Sequence, residues 1–211
     1  MAHPRLELAD WKRRVLAMYA RVRESGGDPV ACDAFRAARD RLFRNHPASP
    51  LPAGDRAVFA GVPYFAHRPE MRVQAALVPD ESGAELVIPT STGEPTRFTR
   101  IGSVHPTLEG RELSLAVYWL EGYGGGLFLP FRDALAGSDT YGGGRYLLDT
   151  VKGADLGAVG DRLVLDFNYA YNPSCAYDPR WSCPLAPPEN RIEVAVEAGE
   201  RTPGQVRTED Y

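Results

Sequence analysis

The chain has 211 residues, of which 44% are hydrophobic and 25% are charged, a composition typical of a globular protein rather than of a disordered or fibrous chain. Its formal net charge is -4, so no overall positive field attracts nucleic acid or an anionic membrane surface. No apolar run approaches the ~20 residues that a membrane-spanning helix needs. We therefore predict no nucleic-acid partner and no membrane partner.

The first residues do not have the composition of a signal peptide. Met1–Arg5 lead directly into an amphipathic pattern, without the apolar segment of an export signal. We therefore predict a cytoplasmic location. In that compartment the three cysteines are expected to be thiols unless a metal holds them.

Residues 1–52 are predicted to form two helices and a linker. Apolar residues at spacings of three and four indicate a first helix over residues 7–24, and Gly26 and Gly27 follow its end. A second helix begins near Asp28, and Phe35, Ala38 and Leu42 mark its buried face. Both helices are amphipathic and need a surface to cover.

From Val58 onward the apolar period changes to two, which indicates β-strands. Turn residues separate the runs, and no pattern of helical length lies between them, so a parallel sheet with crossover helices is not expected. We predict a mainly β (α+β) fold in which the two helices pack on one antiparallel, barrel-like or strongly curved sheet of residues 53–200, within a single globular unit that ends in a polar tail, 201–211. The predicted strands cover residues 71–78, 84–88, 97–101, 113–119, 127–131, 145–150, 162–171 and 191–197.

One predicted strand carries an unusual polar stripe. Short polar side chains disfavour strands, and solvent-facing strand positions usually carry Lys, Glu or Thr instead. Three interpretations remain open: an internal hydrogen-bond network, a ligand pocket walled by aromatic rings, and a solvent-facing surface. In an extended strand, one face would hold Val164, Asp166, Asn168, Ala170 and Asn172.

If the stripe is a pocket, Asp166 is the candidate acid or base, because burial among aromatic rings raises the pKa of a carboxyl group toward the working range. Arg145 would be the second candidate catalytic residue, binding an anionic group of the substrate or stabilising developing charge. The candidate ligand-binding residues are Tyr141, Asn168, Asn172, Tyr177 and Asn190.

Cys175 and Cys183 are eight residues apart, each close to prolines. Zinc sites usually have tighter cysteine pairs and further ligands, so no metal site is predicted, and these two residues are only weak candidate ligands. A disulfide or redox pair and buried structural thiols remain open as alternatives. The prolines fold the intervening loop back on itself, so the two thiols are predicted to lie close together.

The prolines before Glu189 and Asn190 make the entry to the last predicted strand stiff. At least one of these two side chains is therefore predicted to be buried and bonded to segment 166–178. The alternative is an exposed corner of a hairpin.

Several stretches in the C-terminal two thirds of the chain carry specific motifs, namely residues 127–133, 140–146, 165–172, 175–177, 183–185, 188–190 and 198–200. In these motifs the chain resembles the bacterial family of unknown function DUF1684, and the resemblance extends more loosely to Trp11 and the linker at Ser49. The resemblance implies no reaction, cofactor or catalytic residue. It also implies that some relatives are exported as lipoproteins, and we expect this chain to differ from them because it shows no export signal.

The sequence thus leads to two functional hypotheses. In the first, region 139–190 forms a small-molecule pocket that binds or converts an unknown compound, with no cofactor indicated. In the second, the protein is a non-enzymatic structural or interaction protein, in which the same polar residues form an internal network. The oligomeric state is not indicated by the sequence.

Overall fold

We describe a computed structural model of the chain over residues 3–80, 84–93 and 95–204. Its N-terminal part is a pair of helices, as predicted. Helix α1 spans Pro4–Ser25, and helix α2 spans Pro29–Asn45. In the described residues no helix combines the length and apolar character needed to cross a bilayer.

Both helices begin at side-chain caps. His3 accepts a hydrogen bond from the backbone of Arg5, and Asp28 accepts one from that of Val30, which satisfies amide groups that have no partner within each helix. Between the helices, Gly26 adopts the left-handed conformation that ends many helices. The aromatic rings of Tyr19 and Phe35 pack edge to face between α1 and α2, with their centroids 5.0 Å apart.

The rest of the chain forms a sheet whose described pairings are all antiparallel, as predicted. Its strand order is β8-β7-β6-β3-β1-β10-β9, with β2 paired to β3, and β4 and β5 form a separate hairpin. The strands are β1 (Arg72–Pro79), β2 (Glu85–Pro89), β3 (Pro95–Val104), β4 (Thr107–Leu108), β5 (Arg111–Glu112), β6 (Leu115–Leu120), β7 (Gly126–Phe131), β8 (Arg145–Asp149), β9 (Ala158–Val159) and β10 (Arg162–Asp166).

The two faces of the sheet carry separate hydrophobic cores. On one face, rings such as Phe98 and Tyr118 belong to the same hydrophobic cluster as the buried sides of the helices. On the other face, residues such as Leu115 and Phe167 form a cluster with the C-terminal segment, which contributes Val196. The sheet is therefore the middle layer between the helices and the C-terminal segment.

The sheet does not close into a barrel through any pairing among the described strands. At its β8 edge, Tyr146 exchanges two backbone hydrogen bonds with Tyr171, of 2.9 and 3.1 Å, as an isolated bridge. Strands β8 and β10 are not paired with each other. The antiparallel α+β class is thus confirmed, and the closed barrel is not found.

Two predicted strands differ in the structure. Strand β10 ends at Asp166, because the Asp166 side chain accepts a hydrogen bond from the backbone of Asn168 and starts a 3-10 turn over Phe167–Tyr169. The predicted alternation of faces therefore stops at Asp166. Segment 191–197 keeps its alternating burial, but its backbone bonds to loop residues such as Ala134 instead of joining a strand ladder.

Candidate functional site

A cavity of about 220 Å³ lies where the two helices meet the segment that follows β10. Helix α1, helix α2 and the segment from Tyr171 to Cys183 all contribute to its wall. Most of the wall is apolar, with a few polar groups, as in typical ligand sites. The lining residues are Leu8, Trp11, Lys12, Val15, Tyr19, Arg39, Phe43, Ala48, Pro50, Lys152, Ala154, Tyr171, Asn172, Ser174, Tyr177, Trp181, Ser182 and Cys183.

Glu200 organises the polar groups of this cavity, although its side chain is only 1% exposed. Its backbone amide donates to the carbonyl of Ala170 at 2.9 Å. Gly199 precedes it at a φ of 75°, and a Cβ there would lie 2.5 Å from the Ala170 oxygen and 2.7 Å from the Phe167 oxygen. Only glycine permits this approach, which carries Glu200 into the interior.

Both carboxylate oxygens of Glu200 have partners. Oε1 accepts a hydrogen bond from Nε of Arg39. Oε2 accepts one from the Tyr177 hydroxyl and one from the backbone amide of Asn172, each at 2.8 Å. Burial lowers the pKa of Arg39, but the charge of Glu200 and smaller contributions from neighbouring tyrosines together outweigh it, so the pKa lies well above the ordinary value and the guanidinium stays charged.

Two residues at the cavity carry polar atoms that have no hydrogen-bond partner among the described residues. Arg39 uses only Nε for a hydrogen bond, and its two terminal nitrogens have no acceptor there. The side-chain amide of Asn172 donates from Nδ2 to the Arg201 carbonyl at 2.8 Å. This bond fixes the orientation of the amide, so the atom on its other side is the oxygen Oδ1. That Oδ1 is buried without a hydrogen bond, in a residue that is 2% exposed. A buried unpaired acceptor is uncommon in proteins, so this oxygen is available to a water molecule or a ligand.

Aromatic rings and cations complete the wall. Trp181 is fixed by a hydrogen bond from Nε1 to the Pro50 carbonyl at 2.9 Å. The Arg39 guanidinium lies 5.3 Å from the centroid of Tyr171. Lys12 and Lys152 line the cavity as well, and Lys152 lies 3.3 Å from a carboxylate oxygen of Asp149.

A larger groove of about 710 Å³ lies on helices α1 and α2, away from the segment that follows β10. Its buried polar side chain, His46, is already paired: Asp10 bonds to it at 3.1 Å and to Arg14 at 2.7 Å. We regard the smaller cavity as the better candidate site, because it presents buried polar groups that lack partners.

The predicted catalytic residues Asp166 and Arg145 bond to different partners. Arg145 is 1% exposed and donates to the carbonyls of Val196, Ala198 and Glu200, beside Asp133 at 3.6 Å. It fixes the C-terminal segment against β8. Asp166 instead bonds to Arg72 at 3.1 Å and to Asn168. Neither of the predicted pair lines the cavity.

Two of the predicted ligand-binding amides are occupied by backbone partners. Asn168 accepts from the backbone amide of Arg68 at 2.9 Å and donates to its carbonyl at 2.8 Å. Asn190 is fully buried and bonds both backbone groups of Ala116, and it donates to the Pro130 carbonyl at 2.7 Å. Asn190 is buried as predicted, but its partners lie on β6 and β7 rather than in segment 166–178.

Of the remaining predicted ligand-binding residues, Asn172 and Tyr177 lie at the cavity, and Tyr141 lies beside the thiol of Cys175. Asn172 and Tyr177 both line the cavity and meet at Glu200. Tyr141 lies with its hydroxyl 3.7 Å from the Cys175 sulfur. The backbone amide of Cys175 donates to the Cys183 sulfur at 3.4 Å, so the predicted proximity of the two thiols is confirmed.

Sequence reasoning missed Arg39, Trp11 and Glu200 as site residues. A signal existed for Arg39, because it lies four residues after Phe35 and three before Leu42, within the apolar stripe of α2. A charged residue in such a stripe needs a buried partner. The sequence does not indicate that this partner is Glu200, 161 residues away.

Comparisons with known proteins give a family and several matching chains among the solved structures. The profile of a family described as "Protein of unknown function (DUF1684)" matches residues 57–201. The solution NMR structure of an uncharacterized protein from Haloarcula marismortui is 38% identical in sequence. That match covers 81% of this chain and 91% of the other, with a TM-score of 0.58. A comparison with curated proteins gives no match.

Proposed function

The chain belongs to the DUF1684 family, whose description assigns no function, and from the geometry of its cavity we propose that it binds a small organic acid. The acid carries a hydroxyl or amino group and a flat apolar body. The site is the cavity between the helices and segment 171–183, with Arg39 and Asn172 as the recognition groups. One observation carries the proposal: these two residues present unpaired polar atoms at the same enclosed space.

The chemistry of the two residues specifies complementary groups. The terminal nitrogens of Arg39 are donors in a planar fork, which matches a carboxylate. Oδ1 of Asn172 is an acceptor and needs a donor, such as a hydroxyl or amino group. Because Glu200 bonds both residues, their positions relative to each other are fixed before a ligand arrives.

Charge and shape support an acid with a flat body. Glu200 balances the charge of Arg39, and the cavity wall adds two further cations, Lys12 and Lys152. Trp11 and Trp181 offer aromatic faces on which a ring can stack. A volume of about 220 Å³ lies below the usual size of drug sites and therefore suits a small metabolite.

The internal-network hypothesis applies to a different set of residues. Arg145, Asp166, Asn168 and Asn190 all bond to other protein groups, although Nε of Arg145 has no partner among the described residues. We propose that these four residues are structural and hold the chain segments around the cavity. The protein is then a binding protein whose site rests on a polar network.

A thermal-shift screen tests the proposal with a panel of small aromatic carboxylic acids, each compared with its primary amide. We expect at least one acid with a hydroxyl or amino group to raise the melting temperature, and its amide to do so far less. Ala48→Leu fills the cavity without removing a hydrogen bond and should abolish the shift.

Ala37→Leu, on an exposed position of α2, is the matched control and should keep the shift. Asn168→Ala should also keep the ligand-induced shift, although the melting temperature of this variant without ligand should be lower than that of the parent. If no acid stabilises the protein, or if Ala48→Leu keeps the full shift, the cavity is not the binding site.

A further inference from the structure

A pair of cysteines, Cys175 and Cys183, lies beside the cavity and plays no part in the proposed binding of the acid. Cys175 is half-buried in the 3-10 turn Ser174–Ala176, and Cys183 is buried at 3% exposure. The backbone amide of Cys175 points at the Cys183 sulfur over 3.4 Å. The two sulfurs are therefore neighbours, with one accessible and the other enclosed.

The loop that carries Cys183 is held in place by Ser91. The backbone amide of Ser91 donates to the Cys183 carbonyl at 2.9 Å, and the Cys183 amide donates to the Ser91 hydroxyl oxygen at 3.1 Å. The Ser91 hydroxyl in turn donates to the Trp181 carbonyl at 2.8 Å. Cys183 thus has a defined position beside Cys175.

The surroundings make the two thiols chemically different. A hydrogen bond from Cys183, with a smaller contribution from Tyr141, lowers the pKa of Cys175 to about 6. The same contact with Cys175, together with burial, raises the pKa of Cys183 well above its ordinary value. Cys175, the more exposed of the two, is therefore the thiol that ionises more readily, and Cys183 is the one that keeps its proton, the arrangement of an attacking and a resolving cysteine.

We propose that Cys175 and Cys183 form a redox-active dithiol that reduces low-molecular-weight disulfides. The half-buried thiolate of Cys175 attacks one sulfur of the disulfide, forms a mixed disulfide and releases one thiolate. The Cys183 thiol then loses its proton, and its sulfur attacks the Cys175 sulfur and releases the second thiolate. The products are one Cys175–Cys183 disulfide and two small thiols, so the two electrons pass from the protein to the substrate.

Cys32 is an internal control for this chemistry. It is fully buried on α2, and burial raises the pKa of its thiol. We expect it to stay reduced under conditions that oxidise the pair. The same reagent therefore compares an activated thiol with an inert one in a single protein.

The test is incubation of the folded protein with oxidised glutathione, followed by acid quenching and peptide mass spectrometry. We expect the wild-type protein to gain a disulfide between Cys175 and Cys183 and to carry no stable glutathione. Cys183→Ser should accumulate one glutathione on Cys175, because the resolving thiol is missing. Cys175→Ser should react at neither Cys183 nor Cys32.

A second readout is the rate of alkylation of Cys175 by iodoacetamide in the wild-type protein as a function of pH. The thiolate is the reactive form, so the rate should be half-maximal near pH 6 rather than near the ordinary value of 9. Glutathione on Cys183 instead of Cys175 would overturn the proposal. So would a native protein in which Cys175 reacts no faster than Cys32.

Discussion

Arg39 on helix α2 forms a buried ion pair with Glu200 in the C-terminal segment, although the two residues are 161 positions apart in the chain. The pair connects the helices to the C-terminal segment, and it also places Arg39 at the cavity. Each charge needs the other, because an isolated charge in this interior would be strongly destabilising. The pair is therefore both a structural contact and the base of the proposed binding site.

Removal of the charge of Glu200 should destabilise the fold. Glu200→Gln keeps an acceptor for Tyr177 and Asn172 but leaves Arg39 as an unpaired buried cation, so we expect a loss of about 3–5 kcal/mol in the free energy of unfolding. Urea unfolding measures this loss. The control is Asp139→Asn, which removes the neighbouring exposed ion pair with Arg201 and should cost about 0–1 kcal/mol. Similar losses in both variants would contradict the assignment of Glu200 as the buried anchor.

The close approach at Gly199 gives a second prediction. Gly26 and Gly199 both have positive φ, but a Cβ at Gly26 meets nothing within 4 Å, whereas at Gly199 it meets two backbone oxygens. Gly26→Ala should therefore cost only about 1–2 kcal/mol for its conformation. Gly199→Ala should cost about 1–3 kcal/mol more from overpacking. If urea unfolding showed equal losses of free energy of unfolding in the two variants, segment 199–200 would be able to accommodate the added Cβ by moving, without loss of stability.

Asn190 gives a third prediction, because it bonds two strands at once. Asn190→Ala leaves the backbone amide of Ala116 and the carbonyl of Pro130 without this partner, so we expect a loss of about 1–3 kcal/mol. The exposed Glu193→Ala, three residues away, should stay within about 0.5 kcal/mol of the parent. An Asn190→Ala variant that unfolds like the parent would rule out this role.

Alkaline pH should destabilise the protein through its buried tyrosines. Burial raises their pKa values, so above about pH 10 the unfolded chain loses phenol protons that the folded chain retains. This stabilisation is complete below the unfolded pKa and disappears as pH rises toward the folded values. The residues concerned are Tyr19, Tyr64, Tyr118, Tyr141, Tyr146, Tyr169, Tyr171 and Tyr177.

Urea unfolding from about pH 8 to about pH 11 measures this effect. The free energy of unfolding should fall with pH, and phenolate absorbance should appear together with unfolding. Tyr19→Phe removes one of the ionisable groups. The free energy of unfolding of this variant should therefore fall less steeply with pH than that of the parent. A steeper or equal fall in Tyr19→Phe would exclude Tyr19 from the effect.

The fold class was predictable because hydrophobic period is a local property. The helical stripe of α2 follows from burial of one face, so the sequence pattern is enough. The end of β10 was less visible. The alternation continues past Asp166, but the Asp166 side chain competes for the backbone of Asn168 and turns the chain.

The candidate site was predictable only in part. Asn172 and Tyr177 lie in the segment that the sequence highlights, and both line the cavity. Their common partner Glu200 lies beyond that segment, and Arg39 comes from the opposite end of the chain. Pairings over such separations depend on the packing of the helices against the sheet, which periodicity does not specify.

The most direct test of the proposed function is a crystal structure of the protein with the acid that stabilises it most. We expect a carboxylate oxygen within hydrogen-bonding distance of a terminal nitrogen of Arg39, and a ligand donor on Oδ1 of Asn172. The ring should lie between Trp11 and Trp181. An acid bound elsewhere on the surface, or a cavity that holds only water beside Asn172, would contradict the account.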